Sequence, residues 1–235
     1  MNKSIDFDSS NYKKYLKQQI DCENSFLYMN ISNYTDYKNH LGNDILIKMV
    51  QDLNIKGIAL DVGCNCGYHT EQLKQMIGCA SGIDINTQLI ERAHQYGRPQ
   101  CIYGDIHNIP FSGNVFDLIF AHEVLEHSIN IDIVLSEINR VLKNNGFLVF
   151  SMPCEGHWKQ SQDFDILDKH NFDIIDTHPL KITVNNMVKK LLENNFKKMQ
   201  CQVRNLDGLN TFVEFKNQLK FDFRPHLFGI FKKNG

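Results

Sequence analysis

Four ionisable residues crowd the segment AHEVLEH: His122, Glu123, Glu126 and His127. Glu123, Glu126 and His127 stand at i, i+3 and i+4, so on a helix they share one face. Two carboxylates and an imidazole on one face can coordinate a divalent cation such as Mg2+. Such an ion can hold two neighbouring hydroxyls and lower the pKa of one. Without a metal, His122 or His127 is chemically suited to act as a general base near neutral pH. In a third, structural reading, the Glu and His side chains only hold the helix and its hydrogen bonds. All three readings stand open on the spacing alone. A second stretch, LDVGCNCG (Leu60 to Gly67), is glycine-rich, follows an apolar run and holds two cysteines one residue apart. No second cysteine pair lies at zinc-ligand spacing, which weakens a thiolate site. Gly63 and Gly67 are followed by Tyr68 and His69, so the third glycine of a nicotinamide-binding loop is missing.

These residues sit in an alternation of strand and helix signals. GIALDVG, ASGIDI, CIYGDI, VFDLIFA and FLVFSMP read as five strands, with Asp117 an interruption to a buried reading of the fourth. Between them, YHTEQLKQMIG, NTQLIERAHQYG and DIVLSEINRVLKNNG read as helices. Asn86 is a candidate N-cap, and Gly78, Gly97 and Gly146 are candidate stops. Strands alternating with helices of this length predict βαβ units and a parallel sheet. Later, TVNNMVKKLLENN places Val184, Met187, Val188, Leu191 and Leu192 on one helical face, and FKKMQCQV and HLFGIFKK read as closing strands. The expected organisation is a single domain over 1–235. It comprises an N-terminal helical cap (1–57), a core (58–153) and a final part (154–235) with an irregular insertion and the closing strands.

LDVGCNCG resembles the first motif of the class I S-adenosylmethionine-dependent methyltransferases, an acid followed by glycines at alternate positions. The wider similarity is to the methyltransferase type 11, ubiquinone-biosynthesis-like group. Asn65 stands where that family often has glycine, and Asn tolerates a left-handed backbone. The resemblance implies a Rossmann-like α/β fold with a seven-stranded, mostly parallel sheet, helices on both faces and an antiparallel last strand. It implies that Asp61, Gly63, Cys64, Asn65 and Gly67 form the cofactor loop, with Cys64 and Cys66 as small fillers of a tight turn. Asp84, in GIDI, would take the ribose hydroxyls. Asp105, in GDIHNIPF, would accept from the adenine amino group, and the Ile106 N–H would reach the ring. Ile85 and Ile106 would sandwich the adenine. NVFDLIFAHEVLEH and INRVLKNNGFLVFSMP resemble the family's fourth- and fifth-strand segments. The small-RNA 3′-terminal 2′-O-methyltransferases and the O-methyltransferase of ubiquinone synthesis carry E-x-x-E-H at this place. The RNA enzymes add a histidine before a threonine-started helix, and His178 ahead of Thr183 stands in a similar setting. The implied metal set is therefore Glu123, Glu126, His127 and His178.

The expected function is S-adenosylmethionine-dependent O-methylation of a small-molecule or sugar-like hydroxyl, with or without a divalent metal. RNA 2′-O-methylation is the alternative within enzymes, and a non-catalytic partner protein keeping the fold is the alternative outside them. A net charge of −2 over 235 residues disfavours nucleic acid as a partner. The N/D-P-P-Y/F motif of amino-methylating enzymes is replaced by AHEVLEH. No run approaches the ~18 apolar residues of a membrane helix. The opening MNKSIDFDSS lacks the apolar region of a secretory signal. Seven cysteines at irregular spacing read as reduced thiols, so a cytoplasmic setting is expected. His157 and Trp158 could line an acceptor pocket or form a surface turn. Tyr12, Tyr15, Phe26, Tyr28, Tyr34 and Tyr37 could form a lid or serve packing.

Overall fold

In the computed structural model, which describes residues 5–25, 43–154, 180–205, 213–215, 218–220 and 225–235, the expected alternation forms one seven-stranded sheet. The elements in chain order are α1 (Ser10–Ser25), α2 (Asn43–Leu53), β1 (Gly57–Val62), α3 (Tyr68–Ile77), β2 (Gly78–Asp84), α4 (Thr87–Gln95), β3 (Cys101–Tyr103) and β4 (Phe116–His122). They continue with α5 (Ile131–Val141), β5 (Leu142–Pro153), α6 (Val184–Glu193), β6 (Phe196–Asn205), β7 (Val213–Phe215), β8 (Gln218–Lys220) and β9 (Pro225–Lys233). The sheet order is β3-β2-β1-β4-β5-β9-β6, and β7 and β8 form a separate antiparallel pair that the sequence pattern did not announce. β1 to β5 run parallel, and β9 is antiparallel to both β5 and β6. The chain winds outward in opposite directions from β1 and β4. Their carboxyl ends are thus a topological switch point, where open α/β sheets bind ligands.

Each core layer follows from its residue pattern. On one face, Ile131, Val134, Leu135, Ile138 and Val141 of α5 recur at helical spacing and are buried with Leu60, Ile119 and Phe150. Met187 and Leu191 of α6 join the same layer. On the other face, Leu46, Met49 and Val50 of α2 and Leu73 and Ile77 of α3 pack on Ala59, Phe120, Val149 and Phe228. Side-chain caps fix the helix starts. Asn86 accepts from Gln88 N, Asn130 from Asp132 N and Ile133 N, and Thr183 from Asn186 N.

One expectation needs correction. The fifth helix ends at Val141 rather than at Gly146, because Leu142 already pairs with Phe116 in the sheet. Asp117 does break the buried run of β4: it is half-buried between Phe116 and Leu118, where the pairing with β5 also shifts register. Its Oδ2 accepts from Ile58 N at 2.9 Å and from Lys143 Nζ at 2.8 Å, so the charge is paired at the strand's start.

Candidate active site

The glycine loop leaves β1 at Val62 and enters α3 at Tyr68. Gly63 (φ 70°), Asn65 (φ 52°) and Gly67 (φ 78°) all adopt left-handed backbone, so Asn65 fills the non-glycine position as expected. The loop is tied at three points. Cys64 N donates to Ile83 O, Gly67 N donates to Cys64 O, and Asn65 N donates to the Asp84 Oδ2 at 2.8 Å. The cysteines do fill the turn: Cys64 and Cys66 are each 4% exposed, so their sulfurs face packing and not solvent. The six cysteines whose side chains are described are free thiols. A Cβ at Gly63 would meet Val124 and one at Gly67 would meet Cys101, so only a bare backbone passes here. That cradle, opening beside an acid at the next strand end, fits a nucleoside cofactor.

Asp61 is buried beneath the loop and accepts from Thr70 Oγ1 at 2.7 Å. Burial pushes its carboxyl well above the usual range, against the Thr70 hydrogen bond, with Cys101 and Asp84 adding to the rise. An acid whose native pKa is raised loses stabilisation as pH climbs from its unfolded value towards its native value. Asp61→Asn removes that loss and keeps an oxygen for Thr70. The melting temperature of Asp61→Asn relative to the native protein should therefore climb as the pH rises above the ordinary carboxylate range, as read by thermal denaturation at several pH values.

Asp84 ends β2 with both oxygens engaged, Oδ2 on Asn65 N and Oδ1 on Asn86 N at 2.9 Å. Burial raises its pKa, while the N–H groups of Asn86, Asn65 and Ile85 pull it down. Each carboxylate oxygen still has a second lone-pair site for a ribose hydroxyl. Asp105 follows β3 in a tight turn, where Oδ1 meets His107 N at 2.8 Å and His107 Nδ1 at 2.9 Å, and Oδ2 accepts the Tyr12 hydroxyl. Burial pushes Asp105 up, but the His107 and Tyr12 hydrogen bonds outweigh it and lower the pKa. Ile85 and Ile106 are half-buried, and Ile106 packs against the core.

Helix α1 closes over this end of the crevice. Tyr12, Tyr15 and Gln19, at i, i+3 and i+7, share one face. Tyr12 meets Asp105, the Tyr15 hydroxyl donates to the His127 carbonyl, and Gln19 Oε1 lies 2.9 Å from His127 Nδ1. The tyrosine rings also stack edge-on against His107 at 6.0 Å. Tyr12 and Tyr15 thus anchor a cover on the rim. Phe26, Tyr28, Tyr34 and Tyr37 lie outside the residues whose side chains are described, as do His157, Trp158 and His178.

The AHEVLEH segment is not the helix that its spacing suggested. Glu123 follows β4 in a left-handed conformation (φ 51°), and only Leu125–His127 form a single 3-10 turn. Glu123, Glu126 and His127 therefore do not share a helical face. The Glu123 carboxylate turns instead onto β5 and β9: Oε1 accepts from Ser151 Oγ at 2.6 Å and Oε2 lies 3.2 Å from His226 Nε2. Glu126 is 2% exposed, and its Oε1 is 4.0 Å from His127 Nε2. Among the described residues no three His, Cys, Asp or Glu side chains are placed to hold a metal ion. A divalent ion does not fit Glu123, Glu126 and His127 as they stand. His122 takes a different course, with Nδ1 2.7 Å from Ser151 Oγ and its ring 5.3 Å from His69. Ser151, His226 and Gln19 went unread in the sequence. A lone serine in FLVFSMP and a histidine opening HLFGIF were the available signals.

The sheet order, the switch-point loop and the acids ending β2 and β3 together define the class I S-adenosylmethionine-dependent methyltransferases. Residues 60–150 match the family described as a methyltransferase domain. The malonyl-[acyl-carrier protein] O-methyltransferase of Legionella pneumophila is 31% identical over 98 residues, 39% of this chain and 34% of that protein. The sterol 24-C-methyltransferase of Schizosaccharomyces pombe is 32% identical over 114 residues, 45% of this chain and 29% of that protein. The chain thus spans about a third of the length of these curated relatives. Among solved structures, the phosphoethanolamine N-methyltransferase 2 of Haemonchus contortus, in complex with phosphomonomethylethanolamine and S-adenosylhomocysteine, superposes with a TM-score of 0.68. Its identity is 18%, with 92% of this chain and 61% of that one covered. No helix among the described residues is long and apolar enough to cross a membrane.

Proposed function

We propose that this protein transfers the methyl group of S-adenosylmethionine to a hydroxyl of a small molecule, without a metal ion. The observation that carries the reading is the Asp84 grip on Asn65 N, which holds the left-handed glycine loop open beside a strand-end carboxylate. The three relatives named above methylate oxygen, carbon and nitrogen by their names, so the acceptor atom is argued from this chain's own residues. S-adenosylmethionine supplies an already activated methyl on a sulfonium, and the protein's part is alignment and proton handling. Gly63 to Gly67 cradle the cofactor with backbone, Asp84 takes the ribose hydroxyls, and Asp105 with Ile106 N holds the adenine. Methylation of a hydroxyl also needs a proton acceptor. His122 supports that assignment, because it ends β4 one step past the Val62–Ala121 pair, level with Gly63. The net charge of −2 favours a small acceptor over RNA.

Calorimetric titration of the metal-stripped protein with S-adenosylhomocysteine, then with Mg2+, Mn2+ and Zn2+, tests the reading. Saturable S-adenosylhomocysteine binding that the metals leave unchanged is the expected result. No binding of S-adenosylhomocysteine sinks the methyltransferase reading. A stoichiometric metal that tightens it restores the metal-assisted alternative.

A further inference from the structure

We infer that Glu123, through Ser151, fixes His122 in the tautomer whose Nε2 carries the lone pair, making Glu123, Ser151 and His226 positioning residues for the base. The inference rests on the base role proposed for His122, while the tautomer itself is a property of the chain.

The geometry begins with the sheet. His122 and Ser151 are registered partners on β4 and β5, so their side chains leave the same face, the one carrying Phe120, Val149 and Phe228. His226 lies opposite Pro153 at the start of β9, two residues before Phe228, and joins that face. Glu123 would point away if β4 simply continued. Its left-handed backbone ends the strand, while its N–H still donates to Ser151 O at 3.1 Å. A non-glycine residue in this conformation is strained, and such strain tends to collect at functional sites. Here the turn brings a carboxylate into reach of one serine and one histidine.

Hydrogen-bond direction then follows from donor and acceptor capacity. An ionised carboxylate only accepts. Burial alone would raise the Glu123 pKa, but the His226 hydrogen bond and charge, the His122 charge and the Ser151 hydroxyl hold it at about 2. The carboxylate is therefore ionised near neutral pH. Ser151 Oγ has one proton, and at 2.6 Å it gives that proton to Glu123 Oε1. Towards His122 Nδ1, 2.7 Å away, Ser151 Oγ can then only accept. A neutral His122 must carry its proton on Nδ1, which leaves the lone pair on Nε2. On the far side, His226 Nε2 donates to Glu123 Oε2 at 3.2 Å and holds the carboxylate in place. The logic is that of an acid orienting an imidazole, with a serine hydroxyl inserted between them. A base so fixed needs no tautomer exchange before it accepts a proton.

The test is two-bond 1H–15N spectroscopy of the full chain carrying 15N-labelled histidine, near pH 8, with His122 assigned by its loss in His122→Asn. The expected native spectrum shows a pyrrole-type Nδ1 and a pyridine-type Nε2. In Ser151→Ala the pattern should swing towards the Nε2–H form that free imidazole side chains favour. Ser151→Thr, which keeps the hydroxyl, should hold the native pattern. A native His122 found as the Nε2–H tautomer, or doubly protonated at that pH, overturns the inference. So does a Ser151→Ala protein whose His122 signals do not move. Should Ser151→Ala fail to fold, the native spectrum alone still decides. Titration of the native protein with S-adenosylhomocysteine is read separately. Its failure would strike the methyltransferase reading and leave the tautomer result standing.

Discussion

Gly63→Ala is expected to abolish measurable S-adenosylhomocysteine binding and to destabilise the fold by about 2–5 kcal/mol. Two independent costs fall on this position. Its φ of 70° is left-handed, which an L side chain adopts at ~1–2 kcal/mol. An added Cβ would lie 2.6 Å from Val124 Cγ2 and 2.8 Å from Val124 Cβ, and overpacking of that kind costs ~1–3 kcal/mol. Val124 sits in the turn after β4, so pushing it away moves the segment that holds Glu123 and Leu125. A second substitution separates the two costs. Val124→Ala in the Gly63→Ala background removes Cγ2 but leaves the Cβ contact, so rescue is partial. Gly67→Ala is the informative contrast. Its φ of 78° carries the same backbone cost, but its nearest clash, at 2.5 Å, is with Cys101 Sγ at the end of a side chain. Gly67→Ala with Cys101→Ala relieves that clash and leaves chiefly the conformational term. Denaturation midpoints and calorimetric titrations of the four variants check the ordering. A fully stable, cofactor-binding Gly63→Ala would show that the loop is not the close-approach surface described above.

What the sequence made legible follows from local period and turn chemistry. β1 reads as GIALDV because four consecutive residues are buried on both faces of a parallel strand. α4 reads from its Asn86 cap and α5 from its apolar stripe, and both form, α5 ending at Val141 where its chain enters β5. Asn65 was recognisable as a glycine substitute because so few residues accept that backbone. The AHEVLEH segment was misread for a reason of the same kind. Spacings of i, i+3 and i+4 argue for a shared face only if the backbone is helical, and Glu123 at φ 51° breaks that premise. Nothing local announced the break, because glutamate is not a residue that seeks left-handed backbone.

The partners that replaced the supposed metal site come from distant parts of the chain. Ser151 is 28 residues from Glu123, and His226 comes from a strand that inserts between β5 and β6. Sequence spacing cannot show that β9 enters antiparallel with His226 opposite Pro153. Register across non-consecutive strands is set by the global packing of alternating faces. The consequence is chemical. A carboxylate read as a metal ligand becomes the anchor of a hydrogen-bond chain, and attention shifts from an ion to the imidazole beside it.

That chain makes acid stability depend on Glu123, and Glu123→Gln should flatten part of the native protein's loss of stability at low pH. The Glu123 carboxyl is held at about 2 against an ordinary 4.5. A carboxyl depressed in the native state contributes stability above its unfolded pKa and loses it as pH falls through its native pKa. The difference corresponds to about 3 kcal/mol at neutral pH, fading from about pH 5 downwards, with more than half gone by about pH 3. The side chain is 22% exposed, so screening trims this figure only modestly. Glu123→Gln keeps the volume and one oxygen for Ser151 but has no charge for His226. It should therefore be less stable than the native protein near neutrality, and the gap should narrow as the pH falls. Denaturant midpoints at a series of pH values read this directly. Parallel curves for the two proteins between about pH 6 and about pH 3 would mean that the native carboxyl titrates normally. The carboxylate would still be ionised at neutral pH, but Ser151 and His226 would not be bound to it any more strongly than water is, and the hydrogen-bond chain that fixes the His122 tautomer would lose its energetic support.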